Sequence, residues 1–193
     1  MAIETVPAVE TIRKLTPDDV WRMLETGELD WDDNFELVDG EIVEVLAASG
    51  DHGIVEMNIG FALKTFSNRA GGRVFGSSGF TVGPNRRNVR APDVSYIGPE
   101  RAQDSYPKWV QGAPDLAVEV LSPDQHTDRY AKPKVREYLE AGAQVVWLVD
   151  PIKHEVRVYR PDADEYLIYR RDAELTLEPI ISGFSLKVSD IFT

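Results

Sequence analysis

The feature that most constrains this chain is a run of strand, helix and strand from Ala113 to Asp150. "PDLAVEVL" and "AQVVWLVDP" are short and almost continuously apolar, and between them "AKPKVREYLEAG" reads as a helix ended by Gly142. A connection of that length lets two strands lie parallel, with the helix packed across the sheet. One residue does not suit the first strand. Alternation puts Asp115, Ala117, Glu119 and Leu121 on one face and Leu116, Val118 and Val120 on the other. Slipping by one position to free Glu119 would turn every other side chain over as well. A buried carboxylate without a partner either costs several kcal/mol or takes up a proton. An open face, or an arginine beside Glu119, is the simplest way out.

The rest of the chain supplies more specific partners. Asp93 follows Pro92 at the start of the strand "APDVSYIG", in the same Pro-Asp context as Pro114-Asp115. Lys134 falls on the helix after the Glu119 strand, at the edge of the side marked by Val135, Tyr138 and Leu139, and is expected to point back to the sheet. Two carboxylates and an ammonium are then within reach of one point. That set suits metal-assisted phosphodiester hydrolysis. Mg²⁺ takes hard oxygen ligands from one or two carboxylates, and a lysine stabilises developing charge or orients the water. A helix start near Pro133 is expected to add N–H donors for an anion.

Upstream, Thr16-Pro17-Asp18-Asp19 opens a short helix. "NFELVDGEIVEVL" reads as a hairpin turning at Asp39-Gly40. Ile54, Met57, Phe61 and Ala62 mark a helix stripe, widened by Ile59, Leu63 and Phe66. "GRVFGSSGFTV" reads as one or two short strands, and "HEVRVYRPDADEYLIYRR" as a hairpin. Antiparallel pieces before a parallel crossover make an α/β domain with a mixed sheet. At 193 residues, one domain spanning 1–193 is expected.

These blocks, "FELVDGEI", "PDVSYI", "PDLAVEVLSP", "KVREYLEAGAQVVWLVDP" and "ISGFSLKVSDIF", resemble in order the Uma-type restriction endonuclease family, within the PD-(D/E)XK nuclease superfamily. The resemblance implies a restriction-endonuclease-like αβββαβ core at about residues 51–150, with hairpins added at either end. It implies Asp93 and Glu119 as ligands of Mg²⁺ (or Mn²⁺), with the carbonyl of Val120 as a further ligand. The superfamily pattern puts lysine two residues after the acid, where this chain has Leu121; in the family the lysine function moves to the next helix, onto Lys134, with Lys132 as competitor. Glu36 matches an upstream acidic block, as a metal ligand, as an anchor for a neighbour or as an exposed hairpin carboxylate. His52 matches a family position and suits a proton carrier, a phosphate contact or a helix cap.

Charge sets the class of partner. The net charge of −12 argues against a general nucleic-acid coat, yet Arg69 to Lys108 holds seven basic residues against three acids. Arg86, Arg87 and Arg90 in this strip are candidate phosphate contacts. There are no cysteines, the three histidines show no zinc-like spacing, and no stretch reads as a membrane span or signal peptide. The expectation is a cytoplasmic, Mg²⁺-dependent endonuclease acting on DNA as a homodimer. The alternatives are a nuclease fold kept as a catalytically silent binding module, and a hydrolase of smaller phosphodiesters.

Overall fold

In the computed structural model, which describes residues 14–45, 47–122, 128–163 and 165–193, the crossover forms as expected. In chain order the helices are α1 (Pro17–Thr26), α2 (Gly50–Ala70), α3 (Asp128–Glu140) and α4 (Val188–Ile191). The strands are β1 (Phe35–Val38), β2 (Glu41–Glu44), β3 (Arg73–Gly76), β4 (Phe80–Val82), β5 (Asn88–Arg90), β6 (Val94–Ile97) and β7 (Val110–Gln111). After them come β8 (Leu116–Val120), β9 (Val145–Asp150), β10 (Glu155–Tyr159), β11 (Leu167–Arg170), β12 (Glu174–Leu175) and β13 (Leu186–Lys187).

The central sheet runs β11-β10-β9-β8-β6-β3. Only β8 and β9 in it are parallel, bridged by α3, and the other pairs are antiparallel. The order α2-β3-β6-β8-α3-β9 is the αβββαβ core. A second sheet, β2-β1-β5-β4-β7, is built from the upstream hairpin and the glycine-broken segment. "GRVFGSSGFTV" thus gives two strands, and they belong to different sheets.

The core forms on both faces of the central sheet. Leu116, Val118 and Val120 pack with Val55, Ile59, Leu63 and Phe66 of α2 and with Val188 and Ile191 of α4. On the other face Ala117 and Val146 meet Val135 and Tyr138 of α3, together with Phe80 and Val82 of the second sheet. Each such apolar side chain contributes roughly 1.5–3 kcal/mol on burial. Because β8 is covered on both faces, the face holding Glu119 is mostly closed to water, with that side chain 12% exposed.

Local chemistry explains most boundaries. Thr16 caps α1 and shares a reciprocal capping box with Asp19. Asp39 and Gly40, at φ 50° and 80°, make the two-residue turn between β1 and β2. Two expectations need correction. On α2 the packed side is His52, Val55, Ile59, Leu63 and Phe66, whereas Ile54, Met57 and Phe61 face outward. Apolar residues occupy both sides of this helix, so periodicity alone could not choose between them. Helix α3 starts at Asp128, which leaves Pro133 inside it. The free N–H groups of a helix start are therefore not at Pro133, and the anion site expected there is not formed. None of the described helices is long and apolar enough to cross a membrane.

Candidate active site

The site lies where β6 begins and β8 ends, between the first turn of α2 and the middle of α3. The β6–β8 ladder pairs Val94 with Val118, so Asp93 stands one position beyond it, opposite Glu119. Directly opposed residues of antiparallel strands have Cβ atoms about 4.5–5.5 Å apart. Asp93 Oδ2 accepts a hydrogen bond from the Val120 N–H at 2.6 Å, which ties the first carboxylate to the strand of the second. His52, brought by α2, places Nε2 3.1 Å from Asp93 Oδ1.

Helix α3 answers the question of Glu119. Lys134 Nζ lies 3.2 Å from Glu119 Oε2, and Tyr138, one turn on, donates to Glu119 Oε1 at 2.7 Å. The same ammonium is 3.2 Å from Glu36 Oε1. Glu36 also takes Arg90 Nη1 at 2.8 Å and the Ala91 N–H at 3.3 Å, and Arg90 Nε meets Glu137 Oε2 at 2.7 Å. Five charged side chains thus form one connected network, three of them carboxylates. Glu36 is buried by these contacts, so it is not an exposed hairpin carboxylate.

The electrostatics follow from this crowding. Burial pushes the Glu119 carboxyl up to about 7, with Asp93 and Glu36 adding to the rise and Lys134 opposing it. Burial alone would lower the Lys134 pKa, but Glu119 and Glu36 more than reverse it, so the amine stays protonated. The Tyr138 hydroxyl, raised by burial and by Glu119, is held as a donor. Burial would also lower the His52 pKa, and its hydrogen bond and attraction to Asp93 raise it overall.

The donor set fits a divalent cation. Each oxygen of Asp93 and Glu119 accepts one hydrogen bond or ion-pair contact and keeps a second lone pair. His52, Glu56 and Asp93 also offer ligand atoms that all lie within 4.8 Å of one another. Glu56 was not singled out in the sequence. The available signal was its i+4 spacing from His52, which places both on one side of α2. The sequence marks Tyr138 only as a packing residue, because its hydrogen bond depends on the depth of α3 over β8.

A family model described as "Putative restriction endonuclease", Uma2, matches residues 23–189. The chain belongs to the Uma2 family. The crystal structure of a "putative nuclease belonging to DUF820" from Anabaena variabilis ATCC 29413 superposes with a TM-score of 0.75 at 24% identity, over 92% of this chain and 97% of that one. At that identity the likeness speaks for the fold. No curated protein matches the chain.

In this Uma2 chain the other candidates fall in three places. Arg86 and Arg87 are exposed, in the 3-10 turn before β5 and just after it. Arg90, by contrast, is buried on β5 with both sides of its guanidinium on carboxylates, which separates it from the exposed basic loop. Lys132 lies on the exposed side of α3. Leu121, standing where the superfamily pattern has lysine, is buried with Ala131 and Leu148 beneath α3. Asp115, in the twin Pro-Asp context, is at the other end of β8, held by Arg101, Gln144 and the Gly98 N–H. Of the remaining histidines, His154 stacks on Phe192, and His126 lies outside the described residues.

Proposed function

We propose that this chain is a divalent-metal-dependent endonuclease that hydrolyses DNA phosphodiester bonds. The observation that carries the reading is Lys134, placed 3.2 Å from Glu119 on the strand position opposite Asp93. Asp93, Glu119 and the Val120 carbonyl would hold Mg²⁺ or Mn²⁺, which supplies Lewis-acid polarisation of the phosphoryl group and acidifies the attacking water.

The chain's own residues do the rest. His52 and the Val120 N–H fix the orientation of Asp93, and Tyr138 fixes that of Glu119. With its pKa raised, Lys134 acts as a standing positive charge beside the phosphoryl group, not as a general base. Glu36 and Arg90 hold that charge in register. Arg86 and Arg87 would meet backbone phosphates flanking the cut. Family membership and the nuclease-like fold support this reading.

The net charge of −12 favours a second reading, a nuclease fold that binds without turnover. One experiment separates the two. Purified protein is incubated with plasmid DNA, single-stranded DNA, RNA and small phosphodiesters, with Mg²⁺ or Mn²⁺ and with a chelator. Metal-dependent cleavage of DNA, lost by at least about a thousandfold in Glu119→Ala and Asp93→Ala, is expected. Cleavage surviving both substitutions places the chemistry elsewhere. Lys134→Ala should slow turnover by about a hundredfold, while Lys132→Ala should leave it near the original rate.

A further inference from the structure

Helix α2 has a second side that the fold does not use. Opposite His52, Val55, Ile59 and Leu63 it exposes Ile54, Met57 and Phe61, which are 51%, 70% and 72% accessible. Their i, i+3, i+7 spacing is that of a helix-pairing seam. Three large apolar side chains in a row on one exposed face mark an interaction site.

Two further observations say what covers this seam. Gly53 and Gly60 flank it one heptad apart, and a Cβ on either would meet nothing within 4 Å. Nothing among the described residues requires glycine there, although each costs a helix about 1 kcal/mol relative to alanine. Bare backbone beside an apolar seam instead allows a second helix to come close. The charges give its direction. Exposed Asp51 precedes the seam, exposed Lys64 follows it, and neither has an ion pair among the described residues.

Read backwards, the stripe matches itself. About a midpoint at Met57–Asn58, Ile54 falls opposite Phe61, Asp51 opposite Lys64, and Gly53 opposite Ala62. A two-fold axis uses each of these pairs twice and needs only one surface. We propose that two copies of this chain associate through α2, antiparallel, about a two-fold axis at Met57. Since α2 also carries His52 and Glu56, these residues of each site then lie about 8 Å and about 2 Å of helix rise from the axis. That catalytic consequence rests on the nuclease reading, but the interface does not.

Sedimentation of the full chain at micromolar concentration should give twice the chain mass. Met57→Asp should give a monomer with unchanged circular dichroism. Asp51→Lys and Lys64→Asp should each weaken the dimer roughly tenfold, and the two together should restore it. The natural chain has no cysteine, so Met57→Cys should oxidise to a disulfide-linked dimer while Ile152→Cys, equally exposed, should not. A monomeric full chain overturns the proposal, as does a dimer indifferent to Met57→Asp or a double reversal no tighter than the single ones. A monomer whose Met57→Cys thiol is shielded from reagent would assign the seam to another segment of the same chain, and overturns it equally.

Discussion

Glu119 is the residue on which the proposed chemistry turns, and its titration is open to test. With its carboxyl pushed up to about 7, the residue holds a proton at lower pH that a cation bound as proposed would have to displace. Apparent Mn²⁺ affinity, measured by calorimetry, should fall about tenfold per pH unit below 7 and level off above it. The sign for folding is opposite to that of an ordinary salt-bridged carboxylate. A raised carboxyl binds more protons folded than unfolded, so metal-free stability should fall as pH rises from the ordinary 4.5 toward 7. Glu119→Gln should flatten both profiles. Alternation along "LAVEV" was enough to single out Glu119, and helical spacing from Tyr138 was enough to place Lys134. The Tyr138 hydroxyl was not legible in that way, because its bond to Glu119 depends on how deeply α3 seats over β8, and the i+4 spacing of Glu56 from His52 does not show that Asp93 packs beside both.

At the scale of elements, the cation beside Glu119 comes from α3 and not from its own strand. Leu121 fills the space beneath the helix with Ala131 and Leu148, so the strand position given to lysine elsewhere in the superfamily is here part of the packing. Leu121→Lys should cost about 3 kcal/mol by thermal denaturation, because it buries a charge among apolar neighbours. Loss of less than about 0.5 kcal/mol would mean that the site already accommodates an ammonium at that position. The strands on either side of α3 and the two hairpins were legible because their apolar runs are short and punctuated by Gly, Pro or Asp, whereas the short strands β5, β7, β12 and β13 were not. The face of α2 was not, since its two apolar sides are equally periodic and only tertiary packing chooses between them. The basic strip divided for a related reason: Arg90 sits on a strand that turns it inward to Glu36 and Glu137, whereas Arg86 and Arg87 lie at a turn.

For the whole molecule, a net charge of −12 means that polyanion binding has to be local. With Arg90 engaged by carboxylates, Arg86 and Arg87 remain as the proposed phosphate contacts. The logarithm of DNA affinity against the logarithm of salt should then have a slope of about −2, measured with Glu119→Ala to prevent cleavage. Removing either arginine should reduce that slope by about 1. A slope steeper than about −5 would point to a much wider basic surface.

The delivery of Lys134 by α3 has a consequence for how such a site can change. Sheet and charge are carried by separate parts, so the carboxylates keep their spacing while the counter-charge is set by the seating of one helix. A displacement of α3 by the length of a hydrogen bond would leave the strands in register and strip Glu119 of its partner. On the proposed function the helix would be a mechanical input to the chemistry, since the seating of α3 alone sets the distance from Lys134 to Glu119.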